Sequence, residues 1–235
     1  MYVPRHFELP EGYAASLLTQ VRVGNLVTVH ADGPAATLVP FYLDQDRDTL
    51  VTHLVRNNPQ ARLPALGPAL VILDEADAYV APRWYATNEV KANVPTWDYI
   101  TVHVTGRVRV DPSPAAALRA ARELTLRTEP QEVLDRVGED SLERMARAIV
   151  AVEVQVEQVT GKAKMSQNRH PDDIRSLIAA LEEQGQTRLV NFLREVSLPY
   201  AEERFATISS LRSRTRSAQE RSQRPAAPQE LPEHP

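Results

Sequence analysis

The chain has 235 residues, 43% of them hydrophobic, and its formal net charge at pH 7 is -4. A chain of this size can bury its own core, and its slightly acidic balance gives no general attraction for nucleic acid or acidic lipid. Cysteine is absent, which excludes disulfides, thiolate metal sites and a cysteine nucleophile. No segment resembles a signal peptide or approaches the roughly 20 apolar residues that span a bilayer, so we expect a cytoplasmic protein without a membrane partner.

Alternating and β-branched segments predict strands through most of the first two thirds of the chain. In chain order the predicted strands are 21–30, 35–43, 49–55, 69–73, 101–110 and 148–156. The strand at 101–110 is the clearest, because its valines alternate with polar residues. The connections between strands are short, and strands and helices do not alternate as they do in βαβ units. This pattern predicts a closed or partly closed antiparallel barrel.

Helical signals lie between and after these strands. A helical turn or two is predicted at 13–20, a longer helix after the Ser113-Pro114 start signal, and a weaker one at 141–147. An amphipathic pattern opening at Pro171 and a second one after Gly185 predict an αα-hairpin. We therefore predict a barrel domain over 1–170, a helical hairpin over 171–198 and a disordered tail rich in Arg, Ser and Pro over 199–235.

The segment 79–99 concentrates the aromatic residues of the chain. It holds both tryptophans and three of the seven tyrosines, next to Arg83, Thr96 and Asp98. Such a composition suits the wall of a slot for a flat, polar-edged ligand, or a subunit contact. A hairpin whose aromatic side chains pack on the sheet explains the same pattern equally well.

Three further segments are candidates for ligand contacts. Thr52, His53 and Arg56 end a predicted strand and offer the donors that a phosphate needs, although a solvated strand end accounts for them too. The segment 162–168 would hold an anion or the polar edge of a ring, or would serve only as a basic loop. Pro40 removes a ladder hydrogen bond and frees a neighbouring backbone group for a ligand, or it marks a bulged edge strand.

Several kinds of site find no support in the sequence. There is no dinucleotide-binding or phosphate-loop glycine motif, and no serine lies in a nucleophile-elbow context. The six histidines are scattered, so we predict neither a metal site nor a catalytic residue.

Taken in order, six motifs resemble those of the PaiB family, FMN-binding-like negative transcriptional regulators of bacteria. They are VPFYL, THLVRNNP, YVAPRWY, VPTWDY, VHVTGRVRV and GKAKMSQN, within residues 1–198. The family is similar to the FMN-binding split barrels. The resemblance implies an α+β fold, a six-stranded antiparallel Greek-key barrel with a C-terminal αα-hairpin, and a homodimer with a flavin at its interface.

The resemblance also implies a set of cofactor-binding residues. The FMN phosphate would be held by Thr52, His53 and Arg56. The ring would lie along the backbone of Leu38, Val39, Pro40 and Phe41. The interface side of the slot would be built by Trp84, Thr96 and Trp97, and the slot would be closed by Lys164, Ser166, Gln167 and Asn168. The family usually has Gly in place of Thr52 and Asn in place of Asp98.

We therefore expect an FMN-binding homodimer that acts as a negative transcriptional regulator. The net charge predicts that any DNA association is weak. Two alternatives stay open at this point. One is an FMN-dependent oxidoreductase acting on a small molecule, and the other is a haem-binding split barrel in which His53 or His103 would be the axial ligand.

Overall fold

The computed structural model describes residues 1–222. Six strands form one antiparallel barrel: β1 (Arg22–His30), β2 (Gly33–Asp44), β3 (Thr49–Val55), β4 (Ala69–Val80), β5 (Thr96–Asp111) and β6 (Ile149–Lys164). The order around the barrel is β1-β2-β3-β6-β5-β4, a Greek-key arrangement. The predicted fold class and strand topology are confirmed.

Helices occupy the connections and the end of the chain. They are α1 (Tyr13–Leu18), α2 (Pro59–Arg62), α3 (Pro114–Leu126), α4 (Gln131–Val137), α5 (Glu139–Ala146), α6 (Pro171–Glu183), α7 (Thr187–Phe192) and α8 (Leu198–Ser222). The Ser113 hydroxyl accepts a hydrogen bond from Ala116 N at 3.3 Å, as its predicted capping role requires. Gly185, with φ of 69°, separates α6 from α7 and confirms the predicted hairpin. Within residues 1–222, none of the helices combines the length and apolar character needed to cross a lipid bilayer.

Three strands are longer than predicted. β4 continues seven residues past the predicted end at 73, β5 begins five residues before 101, and β6 extends to Lys164. The register of β4 against β5 shifts between Asp74 and Ala76. This irregularity and the acidic residues around it break the alternation on which the sequence prediction depended.

The barrel interior is the main core. Leu26, Phe41, Leu50 and Leu54 pack there with the buried valines of β5 and β6. Helix α3 covers the outside of β2, β3 and β6, where Val51 and its neighbours pack against the alanines of the helix. Alternate residues of β3 therefore face the interior and α3.

The chain forms two compact units. The first consists of Met1–Val80 and Pro95–Met165, and the second consists of Ala81–Val94 together with the chain from Ser166 onward. The sequence assigned 81–94 to the barrel domain. Its place in the second unit has a clear local cause, because the buried Asp173 carboxylate accepts hydrogen bonds from Thr87 N at 2.8 Å and from Thr87 Oγ1 at 3.0 Å.

Helix α8 corrects the prediction of a disordered tail from residue 199. The chain is helical from Leu198 to Ser222, and the remainder of the predicted tail, 223–235, lies outside the described residues. Ala201 is fully buried, and Phe205 and Ile208 are partly buried, so an apolar side chain recurs on successive turns. Three apolar residues among many Arg, Ser and Glu make too weak a pattern to detect from the sequence.

Candidate functional site

Strands β2 and β3 diverge and leave an open edge. β2 pairs with β1 from Gly33 to Phe41, but it pairs with β3 only from Tyr42 to Asp44. The segment 38–41 therefore has no strand beside one of its edges in the part of the chain that the structure describes. Leu38 is exposed, whereas Val39 and Phe41 are buried. The free edge that we associated with Pro40 is present and can offer backbone groups to a ligand.

A cavity of about 490 Å³ adjoins this edge, and we call it the His53 cavity. Its volume lies within the range of about 300–1,000 Å³ that is usual for small-molecule sites. Its sheet side is formed by Val21, Pro40, His53 and Ile149. Its helical side is formed by Leu118, Ala121, Arg122, Leu124, Thr125, Thr128, Val133, Leu134, Val137, Leu142, Met145 and Ala146. Only Pro40 and His53 were among the predicted site residues. The helical wall escaped detection because its residues read as ordinary helix-core positions.

Two polar nitrogen atoms at this cavity lack partners. His53 Nδ1 and Arg122 Nε are buried and make no hydrogen bond within the described residues. Burial lowers the pKa of the His53 imidazole, which favours the neutral ring near pH 7. The Arg122 guanidinium forms an ion pair with Glu139 through Nη2. An apolar cavity with two unsatisfied polar groups is suited to a flat ligand with a polar edge.

The three residues predicted to hold a phosphate do not converge. Thr52 is fully buried, and its hydroxyl has no partner in the described chain. It follows the interior alternation of Leu50 and Leu54, whereas His53 lies on the outer face of β3 at the cavity. Adjacent residues of a strand point to opposite faces, so the expectation that Thr52 and His53 share one rim is corrected.

The Arg56 side chain is hydrogen-bonded to three backbone carbonyl groups. Its Nε donates to Arg147 O at 2.8 Å, and its Nη2 donates to Pro112 O at 3.0 Å and to Ile149 O at 2.9 Å. The guanidinium thereby ties the end of β3 to the start of α3 and the start of β6. Nη1 makes no hydrogen bond to the described residues, so one side of the fork is still available to an anion.

A second group of predicted residues meets where β5 begins and β6 ends. Lys164 Nζ donates to Thr96 Oγ1 at 2.6 Å and also to Trp97 O. It lies 3.8 Å from Oδ1 of the buried Asp98. Trp97 is 54% exposed and makes an edge-to-face contact with Tyr79 at 6.1 Å between ring centroids. Lys164 therefore compensates the charge of the buried Asp98 carboxylate.

The remaining predicted residues belong to the second unit. Trp84 packs beneath Arg83, with the guanidinium carbon 5.6 Å from the ring centroid. Ser166 and Gln167 are buried, and Asn168 is exposed, with its carbonyl accepting from Arg204 at 3.2 Å. Ser166 has φ of 58°, so the extended form in which it would share a face with Lys164 is corrected.

The His53 cavity fits a flavin in its chemistry. An isoalloxazine ring needs apolar walls and hydrogen-bonding groups along one edge, and its phosphate needs cationic donors. The unpartnered His53 Nδ1, the open edge of 38–41 and the buried Arg122 Nε supply groups of these kinds. The cavity also offers enough volume for a planar heterocycle.

Comparison with known proteins gives the family. The sequence model described as "Putative FMN-binding domain" matches residues 1–158. "Protease synthase and sporulation protein PAI 2" of Bacillus subtilis (strain 168) is 29% identical over 193 residues, which cover 77% of this chain and 89% of that protein.

Two solved structures support the fold. The flavocytochrome Anf3 of Azotobacter vinelandii aligns with a TM-score of 0.53 and 13% identity, covering 69% of this chain and 72% of that one. The conserved hypothetical protein Rv2991 of Mycobacterium tuberculosis aligns with a TM-score of 0.50 and 14% identity, covering 72% and 93%. At these identities the likeness concerns the fold alone. The match over residues 1–158 is what decides the family: this chain belongs to the FMN-binding domain family, as its resemblance to the PaiB proteins indicated.

Proposed function

We propose that this chain is a flavin-binding protein that holds FMN in the His53 cavity. The main support for this proposal is a pair of buried nitrogen atoms without hydrogen-bond partners, His53 Nδ1 and Arg122 Nε. They lie at a largely apolar cavity beside the open edge of β2. Buried polar groups are nearly always satisfied, so these two indicate a ligand with complementary groups.

Each wall of the cavity has a distinct part in this proposal. The apolar side chains of α3, α4 and α5 would exclude water from the ring, and the backbone of 38–41 with His53 would meet its polar edge. Arg122 and the free Nη1 of Arg56 would attract the phosphate. FMN supplies redox chemistry when it is bound, and the chain's own residues orient the ring and set its hydrogen bonds.

We further propose that the protein acts as a homodimer through the outer face of β1, β2 and β4. Val23, Val29 and Leu38 are 56%, 48% and 64% exposed on this face. The register places Val27 between Ala36 and Leu70, so the apolar surface continues across three strands. A continuous exposed apolar surface of this kind is typical of a subunit interface. Pro40 lies two residues from Leu38 on the same face and also lines the His53 cavity, so the interface would border the flavin.

Flavin binding is tested with the purified full-length protein and FMN, by flavin absorption and by fluorescence titration. Ala121→Trp fills the cavity from α3, and we expect it to weaken FMN binding at least tenfold. Ala115→Trp on the exposed side of the same helix is the matched control and should bind FMN like the parent. Equal binding by Ala121→Trp and the parent would overturn the assignment of the cavity.

The dimer is tested by sedimentation at several protein concentrations. Leu38→Glu introduces a charge in the middle of the apolar face and should shift the protein to a monomer. Leu126→Glu, at an exposed position of α3, should leave the association unchanged. A parent protein that sediments as a monomer would contradict the proposal.

The regulatory role rests on the resemblance to the PaiB family. A gel shift with the full-length protein at physiological salt tests it. Arg212→Ala and Arg214→Ala, at exposed positions of α8, separate binding by the folded domain from weak electrostatic binding by the chain end. Consumption of NADH or NADPH by the flavin-loaded protein would instead favour an oxidoreductase.

Haem is the competing ligand, because a neutral imidazole with an unpartnered Nδ1 in an apolar cavity also suits an axial ligand. A Soret band that disappears in His53→Ala would replace the flavin proposal. Flavin absorption without a Soret band would support FMN.

A further inference from the structure

A second cavity lies at one end of the barrel and has a volume of about 600 Å³. We call it the barrel-end cavity. Leu26, Val108, Val110 and Val152, which belong to the barrel interior, form its apolar floor. It shares no lining residue with the His53 cavity. The flavin proposal therefore leaves this cavity unexplained.

The cover of this cavity is held in place without a ligand. It consists of residues 60–68, which follow β3 and lead to β4. Gln60 Nε2 donates to Thr28 Oγ1 at 2.8 Å and to Leu26 O at 3.0 Å. His30 Nδ1 lies 3.0 Å from Pro64 O, and Leu66 N donates to Val29 O at 2.8 Å. Because these groups are satisfied within the protein, the cavity is preformed.

An unpartnered hydroxyl lies in the layer that forms the floor. Thr52 is fully buried, and its Oγ1 has no hydrogen-bond partner in the described chain. Thr52 pairs directly with Val152, which lines the cavity, and directly paired side chains on one face are about 5 Å apart. A buried hydroxyl without a partner is unfavourable, so we expect a water molecule to reach this layer when the cavity holds no ligand.

The rim of the cavity is cationic. Arg107 is paired with Glu157, with Nε and Oε1 3.1 Å apart. Arg62 is exposed and has no ion pair within residues 1–222. Its guanidinium is therefore available to an anion at the entrance. Leu63 and Leu66 are exposed on the cover beside it and extend the apolar surface outward.

We propose that the barrel-end cavity binds an amphipathic carboxylate, with its apolar chain inside the barrel and its carboxylate at Arg62. An apolar interior behind a free guanidinium matches the two parts of such a ligand. This site goes beyond the flavin proposal and does not depend on it.

The test uses the full-length protein and decanoate as the probe, measured by calorimetric titration. Decanoate should bind, whereas acetate lacks the apolar chain and decylamine carries the wrong charge, so both should bind at least tenfold more weakly. Val108→Trp fills the cavity and should weaken decanoate binding at least tenfold, whereas Val159→Trp, at an exposed position of β6, should not. Arg62→Ala should weaken decanoate binding several-fold, while Arg212→Ala, at an exposed position of α8, should leave it unchanged.

Three outcomes would overturn the proposal. They are no binding of decanoate to the parent, equal binding of decanoate and decylamine, and equal binding by Val108→Trp and the parent. Circular dichroism and FMN binding of Val108→Trp show whether that variant is folded. If Val108→Trp is not folded, decanoate binding is measured instead with Val110→Phe, a smaller change in the floor of the same cavity. Ala121→Trp should lose FMN but keep decanoate, which separates the two sites.

Discussion

Lys164 Nζ lies 3.8 Å from Oδ1 of Asp98, whose side chain is only 1% exposed. A buried carboxylate is unfavourable unless it is paired and hydrogen-bonded. Lys164 also donates hydrogen bonds to Thr96 and to Trp97 O, which hold the start of β5 in place. The buried Asp98 carboxylate is thus compensated by Lys164 within the same unit.

We expect Lys164→Met to lower the free energy of unfolding by about 1.5–3 kcal/mol, the range for losing a hydrogen bond to a charged group. Asp98→Asn should recover part of this loss in the double variant, because the uncompensated charge is then removed. Urea unfolding of the two single variants and the double variant measures the coupling. Strict additivity of the two changes would show that the pair does not interact.

Arg56 acts as a brace between three chain segments, and its planar fork is what reaches all three carbonyls. We expect Arg56→Lys to destabilise the protein by about 1.5–3 kcal/mol in urea unfolding, because the ammonium cannot reproduce that geometry. Arg109→Lys, at an exposed ion pair, is the control and should cost less than about 1 kcal/mol. A loss no larger than that of the control would mean that Arg56 is a surface residue without a bracing role.

His53 predicts a pH dependence of stability. Burial lowers the pKa of its imidazole in the folded protein, whereas in the unfolded chain it titrates near about 6.5. Between those two pKa values the unfolded state binds more protons, so the free energy of unfolding falls as the pH drops below about 6.5. His53→Gln should reduce this fall, measured by urea unfolding of flavin-free protein at a series of pH values.

His103 contributes in the same direction. Its pKa is lowered first by burial and then by the charge of the N-terminal amine, against the opposing effect of Asp74. His103→Gln should therefore also flatten the profile, and the double variant should flatten it more than either single change. An unchanged profile in the double variant would assign the pH dependence to other groups.

Gly106 lies at the register shift of β5 against β6. A Cβ at this position would clash with Gln155 O, a backbone atom that cannot rotate away. We expect Gly106→Ala to cost about 1–3 kcal/mol or more, as overpacking does. Gly67→Ala is the control because nothing lies within 4 Å of its Cβ, and it should stay within about 0.5 kcal/mol of the parent in thermal and urea unfolding.

Local sequence patterns predicted the strands and the main helices, and the order of the motifs indicated the family. Period-2 alternation at 101–110 and 148–156, the Ser113 cap and the Gly185 stop are local signals, and each depends on residues close together in the chain. The motif order predicted that Pro40 and His53 contact a ligand, which stays a prediction, and both residues line one cavity in the structure.

The side chains that line each cavity come together only when the chain is packed. Thr52 and His53 are neighbours in the sequence but lie on opposite faces of β3. Arg56 donates hydrogen bonds through Nε and Nη2 to backbone carbonyls more than 50 residues away in the chain. The helical wall of the His53 cavity, including Arg122, carries no sequence signal of its own, because apolar helix positions look alike whether they face a core or a ligand. Burial and free hydrogen-bonding groups are properties of the packed chain, and they depend on contacts that local patterns do not encode.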